Sequence, residues 1–219
     1  MWSSEVTNMI ITGIWETLYM TLVSTLVGYV IGLPMGIVLT VTDKDGIRPN
    51  AAVYKVLDVI SNLLRSIPFI ILLIVLIPFT RFVVGRSYGS TATIVPLTIA
   101  AAPYIARMVE SSLKEVDAGV IEAARSMGAS DFQIVTKVML VEARTSLIVG
   151  ATISLGTILG YSAMAGTVGG GGLGDIAIRY GYTRWQTDIM VVTVVLLVIL
   201  FQIFQTIGMK IANRLDRRK

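Results

Sequence analysis

The chain has 219 residues, 54% of them hydrophobic and only 15% charged, with a formal net charge of +4. A soluble domain of this size carries about 25% charged residues, so the composition points to a membrane. With neither cysteine nor histidine present, disulfide frameworks, cysteine-based zinc sites, thiol nucleophiles and serine–histidine–aspartate triads are all excluded.

Five segments are apolar enough to cross a bilayer, for which about 20 residues are needed. The first, Thr17 to Thr42, is uncharged between Glu16 and Asp43. Its apolar run is too long for a cleaved signal peptide, and Met1 to Ile14 hold no basic residue. Gly28, Gly32 and Gly36 recur along it at the four-residue spacing of close helix packing. The second segment, Val56 to Val84, is interrupted by Asp58, Arg65 and Arg81. Its buried part is expected near Ser66 to Thr80, with both arginines reaching for the interfaces. Ser87 to Ala106 is the third segment, Thr145 to Gly174 contains the fourth, and Ile189 to Met209 is the fifth. Pro34, Pro68, Pro78, Pro96 and Pro103 lie in or beside spans, where neighbouring helices can satisfy the freed backbone groups.

Basic residues give the orientation. Lys44, Arg48, Lys55 and Arg65 belong to the first loop; Arg107, Lys114, Arg125, Lys137 and Arg144 to the third; Lys210, Arg214, Arg217, Arg218 and Lys219 to the tail. Only Arg81, Arg86, Arg179 and Arg184 fall on the other side, which leaves the N-terminus outside and the C-terminus cytoplasmic. Tyr180, Tyr182 and Trp185 then form an external interfacial belt.

The long cytoplasmic loop reads as two helices. Asp117 caps the first, with Val120, Ile121, Ala124 and Met127 at helical spacing, and Gly128 ends it. Ser130 and Gln133 fit a capping box for the second, with Phe132, Val135 and Met139 on one stripe. Such a pair cannot bury itself alone: it either folds against its own membrane helices or is gripped by a soluble partner. In the fourth span, rich in small residues, Gly156 and Gly160 repeat the packing spacing. Tyr161 and Ser162 offer hydroxyls and Met164 a flexible apolar plug, as a helix lining a path would, although interhelical packing accounts for the same residues. Gly169 to Gly174 formally satisfies G-x-G-x-x-G, but it follows a membrane helix rather than a strand. A flexible external turn is the expectation there.

Glu122-Ala123-Ala124, with Gly128 after three residues and Val138-x-Leu140 after nine more, resembles the cytoplasmic signature of binding-protein-dependent ABC importer permeases. That signature reads Glu-Ala-Ala, Gly and Ile-x-Leu-Pro. Val141 stands where the proline usually sits, which frees the second loop helix to run on. Arg65-Ser66-Ile67-Pro68-Phe69, Ala102-Pro103-Tyr104-Ile105-Ala106-Arg107 and Tyr161-Ser162-Ala163-Met164-Ala165-Gly166 are similar to the methionine-uptake branch. The alternative is a permease for another amino acid or small solute of the same superfamily; a polar-amino-acid permease more often reads Arg-Gly-Thr-Pro near position 65.

The resemblance implies an all-α type I importer permease with five transmembrane helices, a single domain over 1–219 and a coupling loop at about 114–144. It implies a bacterial inner-membrane homodimer that works with two cytoplasmic ABC ATPases and an extracytoplasmic substrate-binding protein, moves methionine, and catalyses no reaction itself. Val120, Ile121, Glu122, Ala123, Ala124, Met127 and Gly128 would dock the ATPase, and Tyr161, Ser162 and Met164 would line or gate the path. No cofactor is expected in this chain. The chain lacks G-x-x-x-x-G-K-[ST], so ATP–Mg would sit on the partner. Lipid is the other expected partner, and nucleic acid is not. A self-contained channel or carrier, or a membrane enzyme, is the competing class; the mid-span regions lack the carboxylates and histidines that either would use.

A cysteine introduced at Ser90 or Thr183 is expected to react with a membrane-impermeant thiol reagent in intact cells, and one at Ser130 only after the membrane is opened. External labelling at Ser130 reverses the orientation.

Overall fold

A computed structural model describes residues 4–216, and every regular element among them is a helix. Arg217, Arg218 and Lys219, counted above in the basic tail, lie outside the described residues. Four helices are each long and apolar enough to cross a membrane, and a bent pair brings the number to five.

α1 (Ser4–Thr42) begins well before the uncharged run that marked it in the sequence. It is apolar on every side, and apart from Ile10, Met20 and Leu39 what it buries is small, including Gly13, Thr17, Thr21, Ser24, Gly28, Gly32 and Gly36. Thr17, Thr25 and Thr40 return their hydroxyls to the carbonyls of Gly13, Thr21 and Gly36 at 2.7–3.0 Å, so none carries an unpaired polar group into the packing. The glycine face lies on α5 (Ser90–Lys114). A Cβ at Gly28 would stand 3.0 Å from Ala101 Cβ, one at Gly32 2.6 Å from the Ala102 carbonyl, and one at Gly36 2.5 Å from the Ala106 carbonyl. The backbones are thus closer than side chains permit, the geometry for which small residues are selected in membranes.

The expected second span is not straight. α2 (Ala51–Ser66) and α3 (Phe69–Val75) meet at 101°. The cause is Pro68: Ile67 before it is extended, at ψ 124°, because a residue preceding proline is excluded from the helical region. A second break precedes α4 (Ile77–Val84), where Pro78 sits in the first turn. α2 also inverts the soluble pattern. Tyr54, Asp58 and Ser61 turn inward while Val53, Val56, Ile60 and Leu63 are exposed, as suits a helix with lipid outside and ion pairs within.

α5 starts after Gly89 and continues to Lys114, past the expected end at Ala106, because ion pairs absorb its charged last turns. α9 (Arg144–Ala165) and α11 (Thr187–Leu215) complete the bundle. Phe201 fills the space left by Gly156, and Thr152 fills that left by Gly208. Gly160 is different: a Cβ there meets nothing within 4 Å, so it plays no packing role within this chain. Few residues of α11 are buried against the rest of the chain, so it forms an exposed apolar flank.

The glycine loop corrects the expectation of a flexible turn. After a 3₁₀ turn (Gly166–Val168), Gly169, Gly171 and Gly172 adopt φ of 77°, 82° and 76° and lead into α10 (Gly172–Ile176). Glu16 accepts the Gly172 amide at 2.7 Å, Thr17 accepts that of Leu173 at 2.9 Å, and Thr93 donates to the Gly170 carbonyl at 3.2 Å. Two helices, α1 and α5, hold it in place. The chain leaves through a π-helical segment (Ala177–Tyr182), with Tyr182 exposed at its end, Trp185 exposed beyond it and the Arg184 guanidinium over the Tyr180 ring at 4.5 Å.

Alanine at Gly32 is expected to destabilise the chain by about 1–3 kcal/mol through overpacking. Alanine at Gly160, a helical position with free space, should be neutral or stabilising by up to about 1 kcal/mol. Melting temperatures of the two variants in one detergent check the contrast; equal losses would remove the α1–α5 contact from its assigned role.

Candidate functional site

The loop after α5 forms α6 (Ala118–Ser126), and its termini are built as the sequence indicated. The Asp117 side chain accepts the Gly119 amide at 2.8 Å. At the other end, the Ala129 amide reaches the Ala124 carbonyl at 3.1 Å and the Gly128 amide that of Arg125 at 3.0 Å. This is a complete Schellman closure, with Gly128 at φ 83° supplying the left-handed residue.

α6 divides the expected docking residues between two faces. Ala124, 6% exposed, and half-buried Ile121 pack inward on a cluster that includes Ile47, Val135 and Met139. Arg125 donates to the Ile47 carbonyl at 2.7 Å and lies 3.7 Å from the Asp131 carboxylate, so it serves as an anchor. Val120, Glu122, Ala123 and Met127 point away, Met127 with 81% of its surface exposed. An exposed methionine beside alanine and valine, on a helix pinned from behind, is a surface able to enter a partner's groove.

The second loop helix begins with the expected capping box. The Ser130 amide donates to Gln133 Oε1 at 2.9 Å, and the Gln133 amide to Ser130 Oγ at 3.3 Å. α7 (Asp131–Gln133) then widens into a π-helical segment (Ile134–Met139), followed by α8 (Leu140–Glu142). The wider turn changes which residues face inward. Ile134, Val135 and Met139 are buried, while Phe132, placed on the inner stripe by α-helical spacing, is 76% exposed. Without a proline at Val141 only Ala143 separates α8 from α9, so the loop helix runs almost directly into the membrane helix.

The three path candidates on α9 are not all on one face. Ser162 is buried, donating to the Leu159 carbonyl at 2.8 Å and accepting from Thr21 Oγ1 at 3.5 Å, so its hydroxyl serves the α1 contact. Met164 lies across the helix and is 47% exposed. Tyr161 is partly buried and stacks on Phe69, with ring centroids 4.6 Å apart and planes at 5°.

An ionic network beside α6 escaped the sequence reading. Arg107 pairs with Asp58 and, at 2.7 Å, with Glu110; Lys114 reaches Glu110 at 2.8 Å and Asp43 at 2.7 Å. Tyr54 adds a hydroxyl to Glu110 at 3.3 Å. The Glu110 side chain is only 6% exposed, and two cations and a hydroxyl compensate its burial. Arg107, Glu110 and Lys114 follow the i, i+3, i+7 spacing of one helical face, the signal that could have revealed the network. The hydrogen bond from Lys114 holds the Asp43 carboxyl below its ordinary 3.8. That contribution is complete above the ordinary value and is lost as pH falls through the lowered one. Among the described residues no cluster of acidic side chains could hold a metal.

Residues 28–219 match the family described as the binding-protein-dependent transport system inner membrane component. The chain belongs to this family. A probable D-methionine transport system permease protein from Vibrio cholerae is 48% identical over 217 residues, 99% of this chain and 96% of that protein. The methionine import system permease protein of Bacillus subtilis is 46% identical over the whole of both chains. A solved chain from the MetNI methionine ABC transporter, in inward-facing conformations, is 51% identical, covers 99% of this chain and 100% of its own, and superposes with a TM-score of 0.96. As an inner-membrane component of this family, the protein is an ABC permease, a transport subunit and not an enzyme.

Because a Cβ at Gly128 meets nothing within 4 Å, its replacement is penalised by backbone conformation alone. Gly128→Ala and Gly128→Leu should therefore cost similar amounts, about 1–2 kcal/mol, and Gly128→Asn less. Melting curves test this; a loss for leucine far above that for alanine would mean that space is limiting after all.

Proposed function

We propose that this permease is the membrane subunit of an ATP-driven methionine importer, acting as a homodimer with two cytoplasmic ABC ATPases and an extracytoplasmic binding protein. The N-terminus is external and the C-terminus cytoplasmic, and residues 114–144 form the coupling loop of a single domain spanning 1–219. The observation that carries the reading is α6. It is capped at both ends, anchored from behind by Arg125, and presents Val120, Ala123 and Met127 outward. Likeness to the methionine transporters over the whole chain supports the substrate.

ATP–Mg binds to the partner. When the ATPase dimer closes, α6 moves with the groove that holds it, and the membrane helices pass from inward-facing to outward-facing. The binding protein then delivers substrate, and hydrolysis resets the cycle. In this reading Tyr161 and Met164 border the path, and Ser162 fixes α9 against α1. Selection resides in the binding protein, since the exposed side of α9 around Ile153 and Met164 carries few polar groups.

The test is uptake of radiolabelled methionine by vesicles containing the chain, its ATPase and its binding protein. Uptake should require ATP and be competed by methionine in preference to histidine or glutamine. Met127→Asp puts a charge into the proposed groove contact and should abolish ATPase co-purification while the permease still inserts. Normal ATP-dependent uptake by that variant would refute docking at α6.

A further inference from the structure

We propose that Glu110 is the junction of a clamp that binds the ends of α1, α2 and α5 nearest α6 into one rigid body, so that displacement of α6 reaches these membrane helices undivided. The inference rests on the reading of α6 as the ATPase-docking element.

The clamp joins three separate parts of the chain. Asp43 follows the last turn of α1, Asp58 and Tyr54 belong to α2, and Arg107, Glu110 and Lys114 lie on α5. Glu110 receives Arg107 on one oxygen and both Lys114 and Tyr54 on the other, so every helix in the group is tied to it directly or through one cation. Arg107 with Asp58 and Lys114 with Asp43 are the pairs that cross between helices, and Glu110 holds both cations in place on α5, so shear between the helices would break these crossing pairs. α6 is fastened to this body twice. It follows α5 after only Glu115, Val116 and Asp117, and Arg125 binds the Ile47 carbonyl in the connection between α1 and α2.

The contact of α5 with α9 is of another kind. Neutral hydroxyl pairs join them, Ser146 with Ser112 at 3.0 Å and Thr157 with Tyr104 at 3.4 Å. Such pairs can exchange partners or water without stranding a charge. Arg107, Glu110 and Lys114 are therefore positioning residues that keep the ends of α1, α2 and α5 beside α6 rigid.

The test uses the complete transporter in lipid nanodiscs, with labelled chain diluted into unlabelled chain. The absence of native cysteine leaves no background. Spin labels at Lys55→Cys and Glu115→Cys report within the clamped body, and labels at Lys55→Cys and Lys210→Cys report between α2 and α11. Between nucleotide-free and ATP-bound states, the first distance should stay constant while the second changes. A first distance that shifts as much as the second overturns the clamp. Glu110→Gln should retain its ATPase while methionine taken up per ATP hydrolysed falls about tenfold. Unchanged uptake per ATP in that variant, with the ATPase bound, overturns the clamp alone. An ATPase that still binds Met127→Asp overturns the docking reading beneath it.

Discussion

Inside a bilayer, apolar surface gains little by leaving lipid for another helix, so helices associate where their backbones come close enough for dispersion and weak polar contacts to accumulate. Gly28, Gly32 and Gly36 against Ala101, Ala102 and Ala106 make that approach here, and much of the fold is arranged about it. It fixes α5 along most of its length. One end of α5 then carries the ionic network and leads into α6, and the other receives the glycine loop at Gly89 and Thr93. Site and scaffold are in this sense the two ends of one helix.

The two ends are held by different chemistry. Near α6 the joints are ion pairs among Asp43, Asp58, Arg107, Glu110 and Lys114, strong only while each partner stays in register. At the glycine loop they are mostly backbone groups taken up by Glu16, Thr17 and Thr93. Left-handed glycines let that backbone come close enough to be bonded, which is why a run that looks like a loose linker in sequence is among the more constrained parts of the chain.

Features decided within a few residues were legible in the sequence. The Asp117 and Ser130 caps, the Gly128 stop and the four-residue glycine spacing of α1 all act locally, and the Glu122 to Gly128 signature sufficed to indicate the family. Features decided by partners far along the chain were not. The anchoring of Arg125 depends on a carbonyl 78 positions away. The exposure of Phe132 follows from a π-helical turn that α-helical counting cannot anticipate. The bend at Pro68 was hidden because hydropathy reports how apolar a stretch is and not its direction. By hydropathy the charges on α5 mark the end of a membrane span, whereas their pairing carries the helix onward.

The bond between Glu16 and the Gly172 amide spans 156 positions, and this has a consequence for how the protein is made. At ribosomal rates of about 5–20 residues per second, the partner amide emerges roughly 8–30 s after the carboxylate. The glycine face of α1 can meet α5 early in that interval, but the Glu16 carboxylate still lacks its final neighbour. The nascent helix must keep Glu16 in contact with water until α10 arrives. Its depth in the bilayer during biogenesis is therefore limited by a residue whose structural purpose appears only when nearly four-fifths of the chain has been synthesised.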